Sequence, residues 1–451
     1  LREALPVLGQ SPRTLLEGNE TRPELYKVKI SVIIPTRERV HYLQHSLATA
    51  LAIPDSMVEV IVSDNHSRDG TADLLSAIQD PKLRVVRPQG RVSMRQNFEC
   101  GLAHATGDYI VFFGDDDAAL PGQFAALRHI LATRRPDCLS WSKMSYGWPR
   151  ESSKGKYGGV RFEREKLFGS VRPVSQDALL RRLLSADVDW YDEYPALYHG
   201  AVSRSCIEML RPAGKDFFQA KVPDIYFTML AIMWGIDHLH SDHPFTINGH
   251  SPASTGGAYA RQKTATEPGG ALDAASRFQS EAETDTLQDP VQIGIGIPAA
   301  FFETFEAVRR RLGTEAPSAD LAAWYRFVIN RGAALSLEER RRQAEQLERH
   351  AADNGASAAL TIALKEAEHT TNLTRAINLK RLSAQYRKLK GKLHSFRLNV
   401  ALDSQNTVST ASRVADQVLA DGLVQIQTGK LTRLQAWRDA RTRAKPFPHE
   451  M

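Results

Sequence analysis

Cysteine is scarce: Cys100, Cys138 and Cys206 are the three in 451 residues, widely spaced and without a CxxC pair. An odd, sparse set argues against a disulfide framework and against a cysteine metal site, and fits a reducing compartment. Long apolar runs are missing as well. No stretch approaches the about 18 apolar residues of a spanning helix, and the longest candidate, Phe227 to Ile236, reads as a turn or two of buried helix. Leu1 to Thr21 lack a basic start followed by an apolar core, so no secretory signal is expected. Nor does charge of one sign dominate: 58 Lys and Arg against 52 Asp and Glu leave a formal +6. That excess suits anionic partners such as nucleotide sugars or acidic lipids. The basic residues are spread and form no recognised nucleic-acid motif, so no nucleic-acid partner is expected. With 42% hydrophobic and 24% charged residues, the chain is globular and long enough for two or three domains.

After a polar lead-in (1–26) the pattern turns to strand–helix alternation. Lys29-Ile30-Ser31-Val32-Ile33-Ile34, stopped by Pro35, reads as a buried strand, and Tyr42, Leu43, Ser46, Leu47, Ala50 and Leu51 recur at helical spacing. Val58 to Val62, Leu83 to Val86 and Tyr109 to Phe113 read as further strands, with a helical segment from Met94 to Ala105. Short apolar strands alternating with helices predict a mostly parallel, doubly wound α/β sheet. Ligands of such sheets sit beyond the carboxyl ends of the strands. Pro35-Thr36, Asp64-Asn65 and Asp115-Asp116 all fall there. Ser145 to Phe168, rich in Gly, Lys, Ser and aromatics, reads as a mobile loop or excursion. The expected divisions are an α/β domain over 27–262, a linker over 263–289 and a separate α-helical domain over 290–451.

Gly114-Asp115-Asp116-Asp117 is the most informative stretch. Three adjacent carboxylates repel one another in a dry pocket, so a strand ending in them suggests a cation. Oxygen ligands suit Mg²⁺ or Mn²⁺, and Mg²⁺ is usually held by one or two carboxylates plus substrate phosphates. The alternative is an acidic turn capping the helix after Pro121.

Taken together, Ser31-Val32-Ile33-Ile34-Pro35-Thr36, Glu59 to Thr71 and Gly107-Asp108-Tyr109 leading into the acidic cluster resemble the family-2 glycosyltransferases. The resemblance runs from about Lys29 to Gly257. It implies a GT-A, Rossmann-like fold and inverting transfer from a nucleotide-diphosphate sugar, with Mn²⁺ or Mg²⁺ as cofactor. Nucleotide-sugar contacts are implied for Pro35, Thr36, Arg37, Glu38, Asp64, Asn65, Arg91, Arg95 and Asp115. Asn65 stands where the family usually has a second Asp, and Gly114 where its Asp-X-Asp-Asp begins. The metal falls to Asp116 and Asp117. Asp64 has turn-capping as its structural alternative, and Arg91 and Arg95 have solvated charge as theirs.

Asp224, just ahead of an apolar helix, matches the family's base, with Pro223 where its acidic partner would stand. A helix N-terminus favours the carboxylate, so Asp224 is expected ionised at neutral pH, unless it is simply an N-cap. Tyr198, His199, Ser251 and Ser254 are the acceptor-side candidates, in segments that are otherwise structural His and loop. A basic amphipathic helix over 380–397, with Leu382, Tyr386, Leu389, Leu393 and Phe396 on one face, is either a packing helix or a peripheral contact with an anionic membrane. The expected activity is transfer from a UDP-, dTDP- or GDP-sugar to a glycan or glycolipid acceptor in bacterial-type surface polysaccharide synthesis, in the cytoplasm or at the inner face of the membrane. The competing readings are a non-catalytic nucleotide-sugar-binding scaffold and a nucleotidyltransferase. The latter lacks its glycine-rich loop, since Pro35-Thr36-Arg37-Glu38-Arg39 contains no glycine.

Overall fold

The computed structural model describes residues 28–149, 158–188, 193–252, 254, 280–282, 285–287, 291–294, 296–332, 335–373, 394–402 and 405–448. The lead-in over 1–26 and most of the 263–289 linker lie outside them.

The first third follows the hydrophobic pattern closely: β1 (Ile30–Thr36), α1 (Val40–Leu51), β2 (Val58–Asp64), α2 (Thr71–Ala77), β3 (Leu83–Val86), α3 (Met94–His104) and β4 (Tyr109–Phe112). β1 pairs in parallel with β2 and β4, in a register that sets Thr36 level with Asp64 and Ile33 level with Phe112. Helix α3 starts at a capping box in which the Ser93 side chain takes the Gln96 N–H and Gln96 reaches back.

Next come β5 (Ala118–Ala119), α4 (Phe124–Arg134), β6 (Cys138–Trp141), β7 (Met144–Gly147), β8 (Gly159–Glu163), β9 (Val171–Pro173), α5 (Gln176–Leu184), β10 (Gly200–Ser203), α6 (Arg204–Leu210), α7 (Pro223–Trp234), β11 (His238–Ser241) and β12 (Thr246–His250). The main sheet has the order β3-β2-β1-β4-β10-β6-β11-β9. It is mostly parallel, with β10 antiparallel to β4 and β6, and β9 antiparallel to β11. The segment expected to be a loop from Ser145 instead supplies β7 and β8 to a second sheet, in which they stand between a later strand β13 (Ser395–Asn399) and β12, in the order β13-β8-β7-β12-β5. Buried Tyr146, Val160 and Phe162 carry it; the glycines between them masked the strand alternation.

The described residues beyond 290 are mainly helical: α8 (Ile297–Leu312), α9 (Leu321–Arg331), α10 (Leu337–Asp353), α11 (Ser357–Leu373), β13 (Ser395–Asn399), α12 (Val408–Leu419), α13 (Gly422–Gln427) and α14 (Arg433–Arg443). They do not build a core apart from the sheet, as a separate helical domain would. Side chains of a strand alternate between faces, and β1 divides accordingly. Ile30, Val32 and Ile34 share one core with Leu398, Val414, Val418 and Ala440, whereas Ile33 shares the other with Phe302, Trp324, Val328 and Leu347. The described residues beyond 290 thus cover both faces of the sheet. Amphipathic helices without a core of their own must bury their apolar stripe on a neighbour.

The expected basic helix over 380–397 does not run to its end. Residues 374–393 lie outside the described set, but Ser395–Asn399 is a strand antiparallel to β8, and Phe396 stacks on Phe162 at 4.8 Å. Among the described residues no helix is long and apolar enough to cross a membrane.

Arg95 ties the fold together at one point. It is 2% exposed, with Nη2 at 2.6 Å from Asp285 Oδ1 and Nη1 at 2.7 Å from Asp216 Oδ2, and Asp285 is nearly as buried. Breaking a buried pair strands a charge, so Arg95→Met is expected to cost about 3–5 kcal/mol. A thermal melt of Arg95→Met beside Arg95→Met/Asp285→Leu checks this, because removing both partners should recover most of the loss.

Candidate active site

The carboxyl ends of β1, β2, β4 and β6 open on one edge of the sheet, and the charged residues gather there. Thr36 ends β1, is buried, and donates from Oγ1 to Asp115 Oδ2 at 2.8 Å. Just past β4, Asp115, Asp116 and Asp117 are all buried. Asp115 Oδ1 lies 3.0 Å from Arg39 Nε, and Asp116 Oδ2 lies 2.8 Å from Arg39 Nη2. Burial and Asp116 push the Asp115 carboxyl up to about 6, against the opposing pull of Arg39. Burial also works against the charge of Arg39, but Asp115 and Asp116 prevail and raise its pKa.

Asp117 faces the other way. Its Oδ2 accepts the Gly114 N–H at 2.8 Å and its Oδ1 the Gly249 N–H at 2.8 Å, so it pins β12 to the acidic loop. Burial and Asp116 hold its carboxyl well above the usual range despite those two donors. Expected as a metal ligand, it has each of its oxygens on a backbone amide. The same geometry explains Gly114, where a Cβ would stand 2.9 Å from Asp117 Oδ2. At Gly249 a Cβ would land on the Asp116 carbonyl oxygen.

Several residues expected at the nucleotide hold one another. Asp64 is fully buried; it accepts the Ser67 N–H at 3.0 Å, as a turn cap does, and also meets Arg87 at 2.7 Å. Asn65 uses both ends of its amide on Val92, donating to its carbonyl at 2.7 Å and accepting its N–H at 3.0 Å. That hooks the 88–92 turn to the end of β2. Arg91 pairs with Glu38 and donates from Nη2 to the His66 carbonyl at 3.0 Å. Glu38 and His66 both take positive φ, at 52°, a conformation non-glycine residues rarely adopt. Pro35 sits within β1 opposite Ser63, and Arg37 pairs with Glu281. Arg95, in the first turn of α3, is buried, and its guanidinium is taken by Asp285 and Asp216.

Asp224 lies in the first turn of α7, after Pro223. The helix start was expected to keep it readily ionised. Burial wins: it raises the Asp224 carboxyl above the ordinary value, although backbone N–H groups and Lys143 pull the other way. Tyr198 stands between the two acidic regions. Burial, then Asp224 and the Asp115–Asp117 cluster, hold its hydroxyl well above the usual range, so it is a neutral donor. His199 is buried at a positive φ of 54°, with Nδ1 2.7 Å from Thr246 Oγ1 and Nε2 3.7 Å from Asp117 Oδ2. Burial and Lys143 keep its imidazole neutral. Ser251 accepts a hydrogen bond from Arg39 at 2.8 Å and donates its N–H to Asp116 Oδ2 at 3.2 Å, while Ser254 donates its N–H to the Ser251 carbonyl.

Residues 31–172 of this chain match the family described as glycosyl transferase family 2. That segment is a family-2 glycosyltransferase domain. Similar curated proteins are the GalNAc(5)-diNAcBac-PP-undecaprenol beta-1,3-glucosyltransferase of Campylobacter jejuni, 30% identical over 22% of this chain and 33% of that protein, and the abequosyltransferase RfbV of Salmonella typhimurium, 30% identical over 23% of this chain and 32% of that one. An uncharacterized glycosyltransferase from Nostoc is 28% identical over 24% of this chain and 34% of its own length. The chain therefore spans about a third of the curated relatives it matches. Among solved structures it is similar to S. aureus TarS 1-349 in complex with UDP, at 15% identity and TM-score 0.40, covering 76% of this chain and 92% of that one. It is also similar to a mannosyltransferase from Pyrobaculum calidifontis in complex with GDP-Man and Mn²⁺, at 17% identity and TM-score 0.36, covering 76% and 87%. The α/β sheet with flanking helices is the fold class expected of the family-2 segment, and a mainly helical C-terminal region follows it.

Three charged residues of the site escaped sequence reasoning: Arg39, Arg87 and Lys143. For Lys143 a signal existed. It follows β6, which runs parallel to β11 and ends at the ligand-binding edge, but the short run Cys138 to Trp141 resembled any buried segment. Arg39 and Arg87 are recognisable only through the partners the fold gives them, Asp115 and Asp116 for the first and Asp64 for the second.

Among the described residues no group of three or more His, Cys, Asp or Glu is arranged to hold a metal. The donor set still fits a hard divalent ion. Asp115 and Asp116 turn carboxylate oxygens onto one positive centre, the Arg39 guanidinium standing in for a cation. Two carboxylates completed by substrate phosphates are the usual complement for Mg²⁺, and oxygen donors suit Mn²⁺ equally.

Proposed function

We propose that this protein is a metal-dependent, inverting glycosyltransferase that moves a sugar from a nucleotide diphosphate to a hydroxyl of a glycan or lipid-linked glycan. The observation carrying the proposal is the convergence of Asp115 and Asp116 on a single cationic position at the ligand-binding edge of a family-2 domain. Asp224, with a raised carboxyl and Tyr198 between it and the acidic loop, supports the base role.

In this reading Asp224 accepts the proton of the acceptor hydroxyl as that oxygen attacks the anomeric carbon from the face opposite the diphosphate. Tyr198 donates a hydrogen bond beside the reacting centre, and Lys143 offsets negative charge near Asp224. Asp115 and Asp116 would hold a divalent ion, which would supply electrostatic relief to the departing diphosphate. The nucleotide lies along Thr36, Glu38, Asp64 and Arg91, with Arg87 as the counter-charge to Asp64. The name of the Campylobacter relative, with its undecaprenol-diphosphate-linked glycan, supports a lipid-linked acceptor, which would bring the protein to the cytoplasmic membrane surface as a peripheral visitor.

A thermal-shift panel of UDP, dTDP and GDP, each with and without Mn²⁺, tests this. Binding at a hundred times Kd stabilises by about 2.7 kcal/mol, so one nucleotide should raise Tm clearly, and only with the metal. Stabilisation by every nucleotide alike, with no metal effect, would remove the proposal.

A further inference from the structure

We propose that Arg39 is a resident counter-cation of the acidic loop, which a divalent ion displaces from Asp115 and Asp116 only when a nucleoside diphosphate offers Arg39 new oxygens. This inference rests on the proposed metal-dependent reading of the site.

Four observations carry it. Arg39 meets one oxygen of each carboxylate, Asp115 Oδ1 at 3.0 Å and Asp116 Oδ2 at 2.8 Å, so it holds the oxygens a metal ion needs. Its side chain is only 17% exposed, lying over the Tyr42 ring at 5.3 Å. It occupies the N-cap position of α1 without capping it. A cation there opposes the helix dipole, and arginine is not a capping residue, so the carboxylates are what explain it. Finally, Nη2 also donates to Ser251 Oγ at 2.8 Å, which couples the guanidinium to the segment after β12.

The physical consequence is exchange. Two cations on the same pair of carboxylate oxygens repel each other strongly in a buried pocket, so the metal ion gains most when Arg39 moves off them. A guanidinium fork fits a diphosphate as well as it fits carboxylates. Arg39 can therefore leave the acidic loop at little loss only when phosphate oxygens are present. Leaving also releases Ser251. Metal and nucleotide then bind with positive coupling, and by linkage each strengthens the other equally. Metal alone should bind weakly.

The experiment titrates Mn²⁺ into the full chain and reads free Mn²⁺ by electron paramagnetic resonance, with and without UDP, dTDP or GDP. Wild type is expected to bind Mn²⁺ at least about tenfold more tightly with its nucleotide than without. Arg39→Gln should bind Mn²⁺ alone about tenfold more tightly than wild type and lose most of the nucleotide coupling, with Arg39→Lys between. Ser251→Ala, which loosens Arg39 but leaves the carboxylates intact, should strengthen Mn²⁺ binding a few-fold. It decides the matter if Arg39→Gln fails to fold. Unchanged or weaker Mn²⁺ binding in these variants, with nucleotide-dependent binding intact in wild type, overturns the role of Arg39 and leaves the metal reading standing. No Mn²⁺ binding by wild type with any of the three nucleotides overturns both.

Discussion

Asp224→Asn is expected to retain nucleotide-dependent thermal stabilisation while losing transfer by about 10²–10⁴-fold, the usual contribution of a general base. Asparagine keeps the shape and the hydrogen-bonding oxygen at the start of α7 but has no lone pair basic enough to take the hydroxyl proton. The pH profile adds an independent signature. Burial raises the Asp224 carboxyl above its ordinary value, with backbone N–H groups and Lys143 opposing. A base works only when deprotonated, so activity falls as pH drops through that raised pKa. The acid limb of kcat/KM should therefore lie above the ordinary carboxylate range near 4. Lys143→Met should move it further up, since Lys143 is one of the groups holding the carboxyl down. Near-normal transfer by Asp224→Asn would hand the base role to another group.

Asp116→Ala is expected to lower transfer by about 10²–10³-fold, the scale of losing one electrostatic contact to the leaving group. It should also abolish the metal-dependent part of nucleotide binding. Asp116 meets both Arg39 and the Ser251 N–H through Oδ2, so the variant removes one of the two carboxylates at the cationic position. Asp117→Ala makes the instructive contrast. Asp117 serves the Gly114 and Gly249 amides, and buried donors left unsatisfied cost about 1–3 kcal/mol each. Its deletion should appear first as a lower Tm. If Asp116→Ala turns over normally while Asp117→Ala does not, the metal belongs on the other carboxylate.

Much of the first third of the molecule was legible because its signals are local. Lys29 to Ile34, Val58 to Val62 and Tyr109 to Phe113 are apolar runs bounded by turn residues, and β1, β2 and β4 form there. The rule that ligands gather at strand ends then brings Thr36, Asp64 and Asp115 to one edge from the sequence alone. Local signals failed where glycine interrupted alternation, in β7 and β8. They failed again where basic residues suggested a helix across Phe396, a position that β8 captures as a paired strand. Extended pairing there depends on a partner more than two hundred residues away, which no window on the chain contains.

The residues themselves determined the parallel sheet, the edge where chemistry can occur, and the need for a positive charge beside three adjacent carboxylates. Only the tertiary structure decided which charge meets which oxygen. Asp117 turned to the amides of Gly114 and Gly249, Arg95 went to Asp285 in the core, and Arg39 took the place between Asp115 and Asp116. Burial likewise overrode the helix end at Asp224, since desolvation depends on everything packed around a group and not on its neighbours in sequence.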